Sequence, residues 1–226
     1  MDQIAENLNQ VRARIARAAA RSGRDPAQVR LIAVSKTHPA QMVRRAAQAG
    51  VTVFGENYVQ EARAKMAQLD DLALEWHFIG RLQTNKAKDV TQDFALIHSV
   101  DRLKLAQTLD RRAGDKPVKV LVQVNLAEEE TKGGVSEAQA LDLIRAVAGL
   151  DKLEPRGLMV MPPFFDQPER ARPFFARLRN LADKARQATG LELPELSMGM
   201  SGDFEVAVEE GATLVRVGTA IFGQRA

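Results

Sequence analysis

Short apolar runs rich in Val, Leu, Ile and Phe recur along the chain at 30–35, 51–54, 75–80, 95–100, 118–125, 156–161, 195–199 and 213–217. Stretches with helical spacing of their apolar positions separate them. Runs of four to eight apolar residues are what strands buried on both faces look like. Ahead of the first run, Ile4, Leu8, Val11 and Ile15 are spaced four, three and four apart and form one apolar helix stripe. Ser136 with Gln139 has the spacing of a capping box and predicts a helix start. Asp166 and Pro168 predict the opening of a long helix with the stripe Phe174, Leu178, Leu181, Ala185 and Ala188, and Gly190 its stop. Strands alternating with helices predict a parallel sheet. Eight such units in 226 residues suit a closed (β/α)8 barrel of the TIM type, typically about 250 residues long, here with an extra N-terminal helix. The structural alternative, an open doubly wound sheet, usually carries Gly-x-Gly-x-x-Gly after an early strand. The first run here ends Ser35-Lys-Thr-His-Pro39 instead. Nothing reads as a linker, a repeat or a low-complexity segment, so one domain spanning 1–226 is expected.

Composition narrows the possibilities. Hydrophobic residues make up 45% and charged residues 27%, ordinary values for a globular protein. There is no cysteine, so disulfides and thiolate metal sites are excluded. Thirty-two basic residues face 29 acidic ones, a formal charge of +3. With no dense Lys/Arg run and only 5% aromatics, nucleic-acid binding has little support. No stretch approaches 18 apolar residues, so no membrane span is expected. Met1-Asp-Gln-Ile-Ala-Glu6 lacks the basic start and apolar run of a signal peptide. A cytoplasmic protein, a monomer or weak dimer, is the expectation.

In a barrel of this kind, functional side chains sit at the C-terminal ends of strands. Lys36 ends the first run, where it closes an apolar strand rather than lying on a helix face. Its neutral amine is a candidate for imine formation, given a lowered pKa. Ser201-Gly202-Asp203 opens a predicted helix reaching to Gly211, and Gly218-Thr219 follows the last run. A helix N-terminus with free N–H groups holds phosphate, and phosphate sites after strands seven and eight recur in this fold. Serine at this place also reads simply as a helix cap. Arg216 lies within the last strand, two residues before Gly218. It reads either as a rim salt bridge or as a contact to the pyridine nitrogen of pyridoxal 5′-phosphate (PLP). Arginine only donates, so a ring nitrogen facing it stays unprotonated and the ring is a poorer electron sink. Asn57 either lines the mouth or caps the next helix. Met159 and Met161 read as barrel core before ligand contacts. Glu128, Glu129 and Glu130 read as a solvated loop. His38, His77 and His98 are far apart along the chain and show no ligand spacing, so no metal site is supported.

These residues fall in motifs that resemble the PLP homeostasis protein family over nearly the whole chain. The motifs are Ala33-Val-Ser-Lys-Thr37, Phe54-Gly-Glu-Asn-Tyr-Val-Gln-Glu61, His77-Phe-Ile-Gly80 with Leu82-Gln83 and Asn85-Lys86, Asn125 with Glu129, Lys132 and Gly134, Gly157-Leu-Met159, Leu196-Ser-Met-Gly-Met-Ser201, and Val215-Arg-Val-Gly-Thr-Ala-Ile-Phe-Gly223. The resemblance implies a barrel like the N-terminal domain of alanine racemase, with PLP as a covalent imine on Lys36. It implies phosphate at Ser201, Gly218 and Thr219, and Arg216 near the ring nitrogen. At Gly202 only the backbone N–H is expected to matter. Asn57 and Met159 complete the expected cofactor site. The resemblance further implies a protein without established turnover that binds and passes on PLP, with apo forms of PLP-dependent enzymes as candidate partners, and so keeps vitamin B6 and amino-acid pools in balance.

The competing reading is a PLP-dependent amino-acid racemase. A racemase handles protons on both faces of its substrate, and Lys36 is the one candidate base. The only tyrosine is Tyr58, and the chain ends seven residues after Thr219. The expectation is therefore a carrier with no catalytic residues.

Overall fold

The computed structural model describes residues 2–129 and 132–224. Eight parallel strands close into a barrel in chain order: β1 Arg30–Val34, β2 Val53–Glu56, β3 Glu75–Phe78, β4 Leu96–Val100, β5 Val118–Val124, β6 Leu153–Val160, β7 Glu195–Ser197 and β8 Leu214–Val217, with β8 pairing back onto β1. Helices lie between and outside them: α1 Gln3–Arg21, α2 Ala40–Gln48, α3 Val59–Gln68, α4 Ala87–Val90, α5 Leu103–Arg112, α6 Glu137–Ala148, α7 Arg172–Thr189, α8 Phe204–Glu209 and α9 Thr219–Phe222. This is the expected (β/α)8 barrel with its N-terminal helix. Helix α1 buries the predicted stripe Ile4, Leu8, Val11 and Ile15, and Asp2 caps it by accepting from the Ile4 N–H. Among the described residues, no helix is long and apolar enough to cross a membrane.

Some boundaries move for identifiable reasons. The second strand starts at Val53 rather than 51, because the Val51 N–H closes α2 by donating to the Ala46 carbonyl. The sixth starts at Leu153, and the register shifts between Val120 and Leu121 of β5, opposite Pro155. Proline cannot donate to a ladder and is tolerated at such a bulge. In α7, Phe175 rather than Phe174 is fully buried, and Ala188 is exposed. The helix itself begins at Arg172, after a 3-10 turn over Pro168–Ala171, and ends as expected at Gly190, which has φ +71. Ser136 stands at the start of α6, but its hydroxyl donates to the Gln139 side chain and makes no cap to the backbone. Helix α8 begins at Phe204, so Ser201 lies in the preceding turn and is not its cap.

The barrel wall separates two cores. Between strands and helices lies a continuous apolar layer that includes Phe54, Phe78, Phe175 and Phe204, each almost wholly buried. Inside the barrel only Ile32, Val53, Leu96, Leu121, Met159 and Leu214 form an apolar cluster. Buried polar side chains, among them His77, His98, Ser197 and Arg216, share the interior with it.

Candidate functional site

Strand alternation decides what faces the barrel axis. Successive side chains point to opposite sides, so positions two apart share a face. On β1, Ile32 belongs to the interior cluster, and the same parity carries through Val34 to Lys36, just past the strand. On β8 that parity runs Leu214, Arg216, Gly218, and on β6 it runs Gly157, Met159, Met161. Parity thus aims an amine, a guanidinium and a glycine-edged turn at the same mouth. They line a cavity of about 520 Å³ together with Asn57, Met159, Ser201, Gly202 and Thr219. All eight residues expected at the site border this one space.

The turn bearing Lys36 is held from both sides. A buried ammonium, Lys65 Nζ on α3, donates to the Ser35 carbonyl, to Glu56 Oε1 and to Glu61 Oε1, each at 2.7 Å. Ser35 Oγ also donates to Glu56 Oε1, at 2.6 Å. Glu61 in turn accepts from the Thr37 N–H. Thr37 has φ +67, an uncommon conformation for a β-branched residue. The cluster stabilises that strained residue next to Lys36. Burial pushes the Glu56 carboxyl above its ordinary pKa, partly offset by Lys65 and Ser35.

Across the mouth, donors converge on the Ser201 hydroxyl. The backbone N–H groups of Gly218 and Ala220 point to Ser201 Oγ at 3.2 and 3.3 Å. Gly218 is needed for closeness rather than for an unusual φ: a Cβ there would lie 3.2 Å from the Val34 carbonyl oxygen. Gly202, by contrast, has nothing within 4 Å of a built Cβ. Asp203 shapes the turn by accepting from the Met200 N–H at 2.6 Å, and burial raises its carboxyl pKa. These N–H groups, gathered on the Ser201 hydroxyl, and the Thr219 hydroxyl beside them offer the donors that a phosphate monoester needs.

Arg216 is buried, donating to Ser197 Oγ at 2.6 Å and to the Val160 carbonyl at 3.0 Å. Burial lowers its pKa to about 10, partly offset by Asp203, so it remains a cation at neutral pH. Among the described residues it forms no rim salt bridge, and it borders the cavity. Asn57 lines the mouth rather than capping α3, whose first turn follows Tyr58 without a side-chain cap. Met159 is both things at once, interior core and cavity lining. Met161 is not core; it is 39% exposed at the rim.

Other residues stand at the mouth or behind it without having been assigned a role from the sequence. Lys132 lines the cavity, held by Glu129 at 2.9 Å and the Pro162 carbonyl at 3.0 Å. Glu129 is therefore a positioned carboxylate, not part of a solvated loop, and Glu130 lies outside the described residues. Phe164 also borders the cavity although it is strongly exposed. Two of the three histidines, distant in sequence, meet inside the barrel with His77 Nδ1 and His98 Nε2 3.0 Å apart. Tyr58 borders a neighbouring cleft and not the Lys36 cavity.

An amine and a cluster of backbone and hydroxyl donors thus meet at the mouth of one parallel barrel. A family model described as "Alanine racemase, N-terminal domain" matches residues 2–226. The pyridoxal phosphate homeostasis protein of Pseudomonas aeruginosa is 50% identical over 227 residues, covering 100% of this chain and 97% of that one. The structure of PipY of Synechococcus elongatus with PLP bound superposes with a TM-score of 0.86 at 43% identity, covering 97% of this chain and 100% of that one. Alanine racemase from Corynebacterium glutamicum shares the fold alone, with a TM-score of 0.69 at 21% identity over 100% of this chain and 62% of that one. The chain belongs to the pyridoxal phosphate homeostasis protein family, whose members are built on the barrel of the alanine racemase N-terminal domain.

Proposed function

We propose that this chain binds PLP at the barrel mouth as a covalent imine on Lys36, and that it serves PLP homeostasis by holding and supplying the cofactor without turnover. The observation that carries this reading is the convergence of Lys36, Arg216, Ser201, Gly218 and Thr219 on one cavity. When bound, PLP supplies an aldehyde that condenses with an amine, releasing one water. Lys36 provides that amine and gives up a proton to act as a nucleophile. Backbone N–H groups at Gly202, Gly218 and Ala220, with the Ser201 and Thr219 hydroxyls, hold the phosphate. Arg216 donates towards the ring nitrogen and, being cationic, keeps it unprotonated. Asn57 and Met159 complete the lining that would receive the cofactor. The barrel and α1 act as one domain, in the cytoplasm, as a monomer or weak dimer. Apo forms of PLP-dependent enzymes are the recipients.

The surroundings of Lys36 support the reading without turnover. A racemase needs a second base across the substrate, and the one tyrosine faces another cleft. The racemase reading rests on fold likeness alone. Purified protein should show an imine absorbance that borohydride abolishes. With alanine in deuterated water, NMR should detect no α-proton exchange at rates typical of PLP enzymes. Rapid exchange by the unmodified protein would restore the racemase reading.

A further inference from the structure

The barrel interior carries a line of polar contacts that a cofactor at the mouth does not itself require. Arg216 Nη1 meets Ser197 Oγ at 2.6 Å, Ser197 Oγ meets His98 Nδ1 at 2.8 Å, His98 Nε2 meets His77 Nδ1 at 3.0 Å, and His77 Nε2 meets Glu75 Oε1 at 2.6 Å. Four strands contribute one side after another: β8, β7, β4 and β3. Ser197, His98 and His77 have no exposed surface, while Glu75, the first residue of β3, stands at the opposite end of the barrel and reaches solvent.

Each contact holds one proton, and with a single proton on each ring the two ends fix which way every proton points. Arg216 can only donate. Glu75 can only accept while ionised, and its carboxyl is held below the usual carboxylate range by the hydrogen bond from His77, despite partial burial. A His77 ring with a single proton must therefore carry it on Nε2, leaving Nδ1 to accept. His98 then donates from Nε2 and accepts at Nδ1. Ser197 donates to His98 and keeps a lone pair for Arg216. The opposite order would set the bare Nε2 of His77 against a carboxylate oxygen at 2.6 Å. Burial, the largest cause, holds His98 well below its ordinary pKa, in keeping with a neutral ring.

We infer that Ser197, His98 and His77 are positioning residues for Arg216, forming a one-way hydrogen-bond chain anchored on Glu75 at the far end of the barrel. The chain holds the guanidinium from a place the cofactor never touches. A change at Glu75, which does not border the Lys36 cavity, is thereby felt at the ring-facing cation. Hydrogen bonds in such a chain polarise one another, so its members act together rather than singly. The positioning role rests on the proposed placement of Arg216 against the cofactor ring; the proton order does not.

The test has two arms. In cofactor-free, 15N-labelled protein near pH 7.5, ring-nitrogen NMR should find the His98 proton on Nε2, with Nδ1 bare. Glu75→Gln, which keeps an acceptor oxygen, should preserve that tautomer, and Glu75→Leu should lose it. In the second arm, PLP is titrated into Ser197→Ala and Glu75→Leu. The dissociation constant should rise roughly two- to tenfold, the range for one lost hydrogen bond, and the imine absorbance maximum should move. Ser197→Thr, which keeps the hydroxyl, should restore both. A proton on His98 Nδ1 in the unmodified protein overturns the chain. The predicted tautomer with unchanged affinity and spectrum in both variants overturns the positioning role. Failure of the unmodified protein to bind PLP would sink the cofactor reading, and the positioning role with it, while leaving the tautomer to judge the chain.

Discussion

The two sides of the barrel wall follow opposite rules. Outside, against the helices, side chains are large, apolar and fully buried, as at Phe54, Phe78, Phe175 and Phe204. Inside, six apolar residues suffice for the core, and the remaining space goes to His77, His98, Ser197 and Arg216. The outer layer drives folding through the hydrophobic effect, which is non-directional and tolerant of detail. The inner layer buries polar groups at a cost that only complete hydrogen bonding offsets. Stability therefore resides mostly outside the wall and chemistry inside it, so the two should respond to different perturbations.

The largest contrast should appear at the mouth. Pyridoxal lacks the phosphate that the Ser201, Gly218 and Thr219 cradle would hold. Losing two charge-assisted hydrogen bonds at about 1.5–3 kcal/mol each weakens binding by on the order of 10²- to 10⁴-fold. Competitive titration of pyridoxal against PLP measures this, and equal affinities would remove the cradle from the account.

Next come substitutions on either side of the wall. Phe54→Ala should cost about 3–5 kcal/mol of folding stability, as for large-to-small changes in packed cores. Lys36→Ala should leave the denaturant midpoint nearly unchanged while abolishing the imine absorbance. If Lys36→Ala unfolded the protein, the separation of stability from chemistry would fail.

A smaller effect belongs to the buried ring. His98 in the folded state titrates well below the ordinary value of 6.5, so between those two pH values the unfolded chain binds the extra proton. Stability from this group is then present above about pH 6.5 and is lost as the pH falls, by up to about 1.4 kcal/mol per pH unit. Denaturant unfolding at pH 7.5 and pH 5.5 should show this slope, and His98→Gln should flatten it.

Smallest is Gly202→Ala, whose new methyl meets nothing within 4 Å. Stability should shift by less than about 0.5 kcal/mol, and PLP affinity should hold, since the proposed site uses only the backbone N–H at 202. A large loss of affinity would mean that the backbone there needs a glycine for the bound state.

What could be read in the chain follows the same divide. The outer layer announces itself through periodicity: the stripe of α1 and the eight apolar runs give the barrel, because they record burial against helices. Lys36, Arg216 and Gly218 were legible because they interrupt apolar strand ends with chemistry. The inner line was not. His77 and His98 lie 21 residues apart in the chain, and only the closure of the barrel, with its inward parity, brings them together. Parity applied to the runs at 75–80 and 95–100 would have placed both rings inside. The Lys65, Glu56 and Glu61 cluster behind Lys36 was hidden for the same reason, since a helix lysine reads as solvated until the strand behind it is known. Boundaries failed where the backbone had other hydrogen-bonding duties, as at Val51 and in the turn at Ser201.

The central claim is that Lys36 carries the cofactor. Borohydride reduction of the PLP-loaded protein, followed by peptide mapping, tests it most directly. The account predicts a pyridoxyl group on Lys36, and its absence from the map of Lys36→Ala at that position. A label found instead on Lys132 or Lys86 of the unmodified protein contradicts it.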